Sequence, residues 1–108
     1  MLSLNDNDLG SDGGECLGIA LNQNESIKTL KVAENDLKSE GAIPIIKNAK
    51  RLEVLNLSKN FVKSDVGKPL AKLLKSTNVL KKLYIEYNEF LVAGAKWIAK
   101  GLKSNNSL

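Results

Sequence analysis

Four times in 108 residues the chain writes the same short pattern of aliphatic side chains closed by an asparagine. The pattern reads Leu2-x-Leu4-x-x-Asn7-x-Leu9, Leu30-x-Val32-x-x-Asn35-x-Leu37, Leu55-x-Leu57-x-x-Asn60-x-Val62 and Leu83-x-Ile85-x-x-Asn88-x-Phe90. Successive asparagines lie 28, 25 and 28 residues apart. One such unit cannot bury its apolar face alone, so the units must stack into a solenoid. Three residues upstream, Ile27, Leu52 and Leu80 extend the pattern, and Leu108 lies 28 residues after Leu80, where a further unit would begin.

Each unit carries two periodicities. The Leu-x-Leu alternation has the period of a strand, with one set of side chains inward and the next outward. Each asparagine ends its strand, where a short amide can serve polar groups of the turning backbone. Ten residues after the asparagines come Leu17, Ile45, Leu70 and Ile98, and fourteen after come Leu21, Ala49, Leu74 and Leu102. That offset of four places both sets on one face of a helix. Gly13, Gly41 and Gly94, with Val66 beside Gly67 in the third unit, let each helix start close to its strand. Ser11-Asp12, Ser39-Glu40 and Ser64-Asp65 stand where helix caps are expected. The second unit is three residues short, which predicts a shorter helix there, with Pro44 in its first turn.

Strand, loop, helix and return at about 28 residues resembles the ribonuclease-inhibitor-like class of leucine-rich repeats. The resemblance spans the chain, with repeats at approximately 1–26, 27–51, 52–79 and 80–107 in one leucine-rich-repeat domain, 1–108. It implies an α/β solenoid, a horseshoe segment with parallel strands on the concave side and helices on the convex side. The class consists mostly of protein-binding scaffolds. The short second repeat and Val66 at a usual glycine position depart from its pattern. Neither end shows the polar cap that closes a solenoid core, so the expectation is a piece of a longer array, or ends covered by partner chains.

Composition narrows the chemistry. There is no histidine and one cysteine, Cys16, so neither a Ser-His-Asp nor a Cys-His arrangement can be built, nor a zinc cluster or an internal disulfide. Asp6-Asn7-Asp8 with Asp12 lacks the spacing of a calcium loop, and Gly10, Gly13 and Gly14 are not followed by the Lys-Ser/Thr of a phosphate loop. The expectation is a non-enzyme without cofactors. Cys16 precedes Leu17 on the helix core face, where a small apolar thiol is commonly buried. An unpaired thiol, no signal peptide and no apolar run near ~18 residues point to a cytoplasmic protein away from membranes. Three glycosylation sequons, at Asn24, Asn56 and Asn105, are read as coincidence in a chain rich in Asn and Ser.

Charge is uneven. Residues 1–26 hold five acids and no Lys or Arg, and the remainder is about +9 within a net charge of +4. Lys68, Lys72 and Lys75 recur 28 residues later as Lys96, Lys100 and Lys103, with Lys47 and Lys50 as the second repeat's counterparts. The simplest reading is a solvated convex face, and the alternative is a ladder for phosphates or an acidic partner. Nucleic acid is disfavoured, since only Trp97 is near these lysines and its place beside Ile98 reads as core.

The pleat assigns the outward strand positions: Ser3, Asn5 and Asp6; Thr29, Lys31, Ala33 and Glu34; Val54, Asn56, Ser58 and Lys59; Lys82, Tyr84, Glu86 and Tyr87. Partner contacts are expected at Lys31, Glu34, Asn56, Ser58, Lys59, Tyr84, Glu86 and Tyr87, both tyrosines being suited to hot spots. Four strands make a face of roughly 250 Å², against about 800 Å² per partner in a standard interface, so a partner must also use the loops or further repeats. The function expected is a protein-interaction scaffold. The alternatives are a segment of an assembly stacking end to end, and a GTPase activator of the Ran GTPase-activating-protein type, which only the shared fold suggests.

Overall fold

A computed structural model describes residues 1–108. Four strands, β1 (Leu2–Ser3), β2 (Thr29–Lys31), β3 (Val54–Asn56) and β4 (Lys82–Tyr84), alternate with four helices. These are α1 (Gly10–Gln23), α2 (Lys38–Lys47), α3 (Gly67–Ser76) and α4 (Leu91–Lys103). The strands form one parallel sheet in chain order. Register couples like letters of the repeat: Leu2, Leu30, Leu55 and Leu83 stand abreast, as do Ser3, Lys31, Asn56 and Tyr84. The ladder continues past the strands, with the N–H of Leu4, Val32 and Leu57 donating to the carbonyls of Lys31, Asn56 and Tyr84 at 2.8, 3.0 and 2.8 Å. The α/β leucine-rich-repeat solenoid expected from the sequence is the fold.

The inward letters and the helix letters meet in one core. Leu30, Leu55, Ile45, Leu70 and Leu74 are fully buried, and Leu57 and Ile46 nearly so. The first and last repeats are covered on one side only, so Leu2, Leu4, Leu17, Leu83, Ile85 and Ile98 pack on the core while part of each stays open. Leu102, expected inside, is 45% exposed for the same reason.

The asparagines do more than serve their own turns. Asn60 Oδ1 accepts the N–H of Asn35 at 3.0 Å and of Leu37 at 3.3 Å, both in the preceding repeat. Its Nδ2 donates to the carbonyls of Val32, Leu57 and Ser58 at 3.0, 3.0 and 3.1 Å. Asn35 accepts from Asn7 and Leu9 in the same way, and Asn88 from Asn60 and Val62. Each amide staples its repeat to the one before. Asn7, in the first repeat, is exposed and reaches only the carbonyl of Asn5. The residue before each asparagine (Asp6, Glu34, Lys59, Tyr87) has φ between 55 and 57°, the left-handed kink that turns the amide back under the sheet.

The helix starts differ from expectation. Ser11 and Ser39 lie inside α1 and α2, because these begin at Gly10 and Lys38, and no helix has a side-chain cap. The serines bond across repeats instead. Ser11 Oγ donates to the Leu37 carbonyl at 2.9 Å, and Ser39 Oγ donates to Asp65 while accepting from the Lys63 N–H. The earlier start of α2 also puts Pro44 in its interior rather than its first turn. Where Val66 replaces the usual glycine, Ser64–Val66 winds as a 3₁₀ turn and α3 starts only at Gly67, seven residues after its asparagine, where the other helices start three after theirs. Cys16, expected to be buried, is exposed, since the inward face of α1 is taken by Gly14, Gly18 and Leu21.

Glycines set the helix spacing. A Cβ on Gly14 would lie 2.6 Å from Gly41 Cα, and one on Gly18 2.6 Å from the Pro44 carbonyl, so α1 and α2 touch backbone to backbone. Gly67 against the Gly94 backbone and Gly101 against the Ala71 backbone do the same for α3 and α4. No glycine bridges α2 and α3, which pack only lightly. α2 also stops early, twelve residues after its asparagine, where α1 and α3 run to sixteen.

Two outcomes follow. Asn60→Leu leaves the N–H groups of Asn35 and Leu37 and the Val32 carbonyl without partners, at about 1–3 kcal/mol for each, while the Leu57 and Ser58 carbonyls keep the Asn88 amide and the Glu34 N–H. Denaturant titration should show a loss of ~3 kcal/mol or more, whereas Asn7→Leu should lose under ~1 kcal/mol. Gly14→Ala gains up to ~1 kcal/mol of helix propensity, but its methyl meets backbone that cannot yield, and overpacking of ~1–3 kcal/mol or more wins. Its melting temperature should fall by about 8 °C or more, and further than that of Gly10→Ala, where the site is open and only the φ of +65° is strained.

Candidate protein-binding surface

The outward strand letters form straight rows because the register is in phase. Lys31, Asn56 and Tyr84 are direct neighbours on β2, β3 and β4. One kink further along, Glu34, Lys59 and Tyr87 occupy the left-handed position of successive repeats. Lys59 Nζ lies 3.6 Å from Glu34 Oε1 and 5.2 Å from the centre of the Tyr87 ring. One cation is thus shared between a carboxylate in the repeat before and an aromatic face in the repeat after. Exposed contacts of this kind add little stability; what they do here is align three side chains along the solenoid axis. Tyr87 is 77% exposed and Tyr84 39% exposed, so the row offers aromatic surface to solvent.

The row between these two behaves differently. Ser58 and Ala33, expected to face out, are buried. The Ser58 hydroxyl donates to Glu86 Oε1 of the next repeat, which draws the carboxylate over it. The Ser58 N–H donates to Asn56 Oδ1 at 3.0 Å, so Asn56 is half-spent on its own turn. Of the eight residues expected to make partner contacts, Glu34, Lys59, Tyr84, Glu86 and Tyr87 are exposed and Lys31 is half-buried, while Ser58 is buried beneath Glu86 and half-buried Asn56 bonds to the Ser58 N–H.

Among the exposed apolar side chains that were not anticipated, Phe61, on the loop that leads from β3 towards α3, is 61% exposed, and Leu91, the first residue of α4, is 75% exposed. The signal was present in the sequence. Phe61 stands in a column otherwise filled by Asp8, Asp36 and Glu89, and Leu91 in one filled by Gly10, Lys38 and Lys63. Both hold a φ near +55°, which bulky side chains seldom adopt. Trp97, expected in the core, is half-buried, with Lys100 Nζ 4.9 Å above its ring. No group of His, Cys, Asp and Glu side chains is placed to hold a metal ion, and no helix is long and apolar enough to cross a membrane.

A family model described as a leucine-rich repeat matches residues 2–18 and 23–45. No curated protein matches the chain. Among solved structures, that of the Leiomodin-1 Actin-Binding Site 2 (ABS2) is similar with a TM-score of 0.82 at 24% identity. The likeness covers 99% of this chain and 65% of that one, so the chain spans about two thirds of the length of the structure it matches. With the asparagine ladder and the parallel sheet, these matches show a leucine-rich-repeat fold.

Proposed function

We propose that the chain is a protein-docking module whose partner lies across the strand face. The observation that carries this reading is the row Glu34–Lys59–Tyr87, exposed, pre-aligned and set beside Lys31 and Tyr84. Pre-alignment matters because ordering long side chains is a main penalty of association. The strand face alone, roughly 250 Å², is too small for a standard interface. Phe61 on the adjoining loop and Leu91 at the start of α4 supply apolar area of the kind that interface cores use. The repeat reads as the ribonuclease-inhibitor-like kind, with helices of 10 to 14 residues outside the sheet. An exposed, unpaired Cys16 fits a reducing compartment such as the cytoplasm.

The similarity to an actin-binding site of leiomodin makes actin the first partner to try, by fold alone. Co-sedimentation with filaments, and pull-down from lysate for other partners, should show binding by the wild type. The pair Tyr84→Ala, Tyr87→Ala should weaken it by ~10-fold or more, with an unchanged melting temperature because both side chains are exposed. Recovery equal to wild type would remove the strand face from consideration.

A second reading, stacking of copies end to end, rests on the open edges of β1 and β4 and on the part-exposed Leu2, Leu4, Leu83 and Ile85 beside them. It expects a sedimentation coefficient that rises with protein concentration. A constant monomer value would eliminate it and leave the docking reading standing.

A further inference from the structure

The helix side of the molecule carries a cleft that the repeat pattern alone would not produce. It has a volume of about 740 Å³ and opens where α2 ends, between the last turn of α1 and the body of α3. Its origin is the three-residue deletion in the second repeat. α2 stops one turn short of its neighbours, and no glycine draws α2 and α3 together, so the space of the missing turn stays empty. Leu21, Ile46 and Leu73 form its floor.

Its rim is basic. Lys47, Lys50, Arg51, Lys68 and Lys72 line the cleft, and no Asp or Glu does. None of these five takes part in an ion pair. Arg51 is braced, its guanidinium donating to the Asn24 carbonyl at 3.3 Å. The C-terminus of α2 points its partial negative charge here, so attraction for an anion must come from the side chains. Five like charges around one cavity repel one another unless something neutralises them.

The dimensions choose among anions. A space of this volume is roughly 9–11 Å across, which about three residues of an extended peptide would span at ~3.3 Å each. Alternate side chains face opposite ways, so such a peptide brings only one or two carboxylates to five cations. A compact molecule bearing several phosphates brings four or more charges into the same space, and its volume falls in the range of ordinary ligand sites. We propose that this cleft is a binding site for a compact, multiply phosphorylated anion, either free or as a lipid headgroup. It is separate from the strand face and independent of the docking reading.

The test uses the full 108-residue chain and inorganic tripolyphosphate in titration calorimetry, with flotation on vesicles carrying a bisphosphorylated inositol lipid as a second arm. Binding in either arm, weakening as salt rises, is expected, and the arm that responds tells the free anion from the headgroup. The exposed-lysine variant Lys47→Gln, Lys50→Gln, Lys68→Gln, Lys72→Gln should bind at least ~10-fold more weakly, as four lost charge contacts imply. A charge-matched control, Lys75→Gln, Lys81→Gln, Lys96→Gln, Lys103→Gln, should change affinity by less than about threefold. Tripolyphosphate should also raise the melting temperature of the wild type and the control, and not that of the cleft variant. Equal loss in both variants, no binding in either arm, or tighter binding of polyglutamate than of tripolyphosphate would overturn the proposal.

Discussion

From the second repeat on, an asparagine amide, buried at Asn35 and Asn60 and half-buried at Asn88, takes two N–H groups from the repeat before it and gives its own protons to carbonyls on both sides of the joint. For Asn60 that makes five hydrogen bonds from one side chain, in a site closed to water. An unpaired buried polar group is penalised more heavily than a made bond is rewarded, so the amide tolerates little slip of one repeat against the next. The in-phase register of the sheet, the burial of the leucine columns and the alignment of Glu34, Lys59 and Tyr87 all depend on that intolerance. The left-handed kink before each asparagine is held in four repeats by four different residues. Position in the ladder, rather than side-chain preference, imposes it.

Much of this was legible in the sequence. The leucine and asparagine columns have one physical role each, so their spacing predicts strand, turn, helix and core letters directly. Less legible was anything settled between repeats. The burial of Ser58 depends on Glu86 lying 28 residues away, and the partners of Ser11 and Ser39 lie 24 to 26 residues away. A local rule read these serines as caps because caps are local. A second turn column also escaped notice: Asn24, Thr77 and Asn105 each accept the N–H of the residue three places on, Ile27, Leu80 and Leu108. Ala49 breaks that column in the second repeat, and without the amide or hydroxyl at every turn it does not read as a pattern.

The same short repeat explains why a deletion does so little harm to the sheet. Its three residues are lost between Asn35 and Leu52, on the helix side, after the amide has fixed the joint. The strands on either side remain paired residue for residue. The change is expressed entirely in the outer layer, as an early end to α2 and the cleft beside it. Helices in this fold are spaced by which faces carry glycine, and the glycines here serve α1 with α2 and α3 with α4. Two helix pairs with a gap between them is the consequence.

Conformity and departure therefore carry different information. Letters that match the repeat are consumed by the ladder and the core, and they would be the same whatever the chain bound. Letters that depart from it meet no such demand, and each needs a separate reason to be there. Phe61 among acids, Leu91 in a column of glycine and lysines, and Tyr87 on the kink are exposed and gain no burial from their places. The missing turn of α2, ringed by unpaired cations, likewise adds nothing to the core. These departures lie on two different surfaces, the strand-side loops with aromatic and aliphatic side chains and the helix side with cations. A partner protein and a phosphorylated anion are different chemistries, and the proposals assign one to each surface.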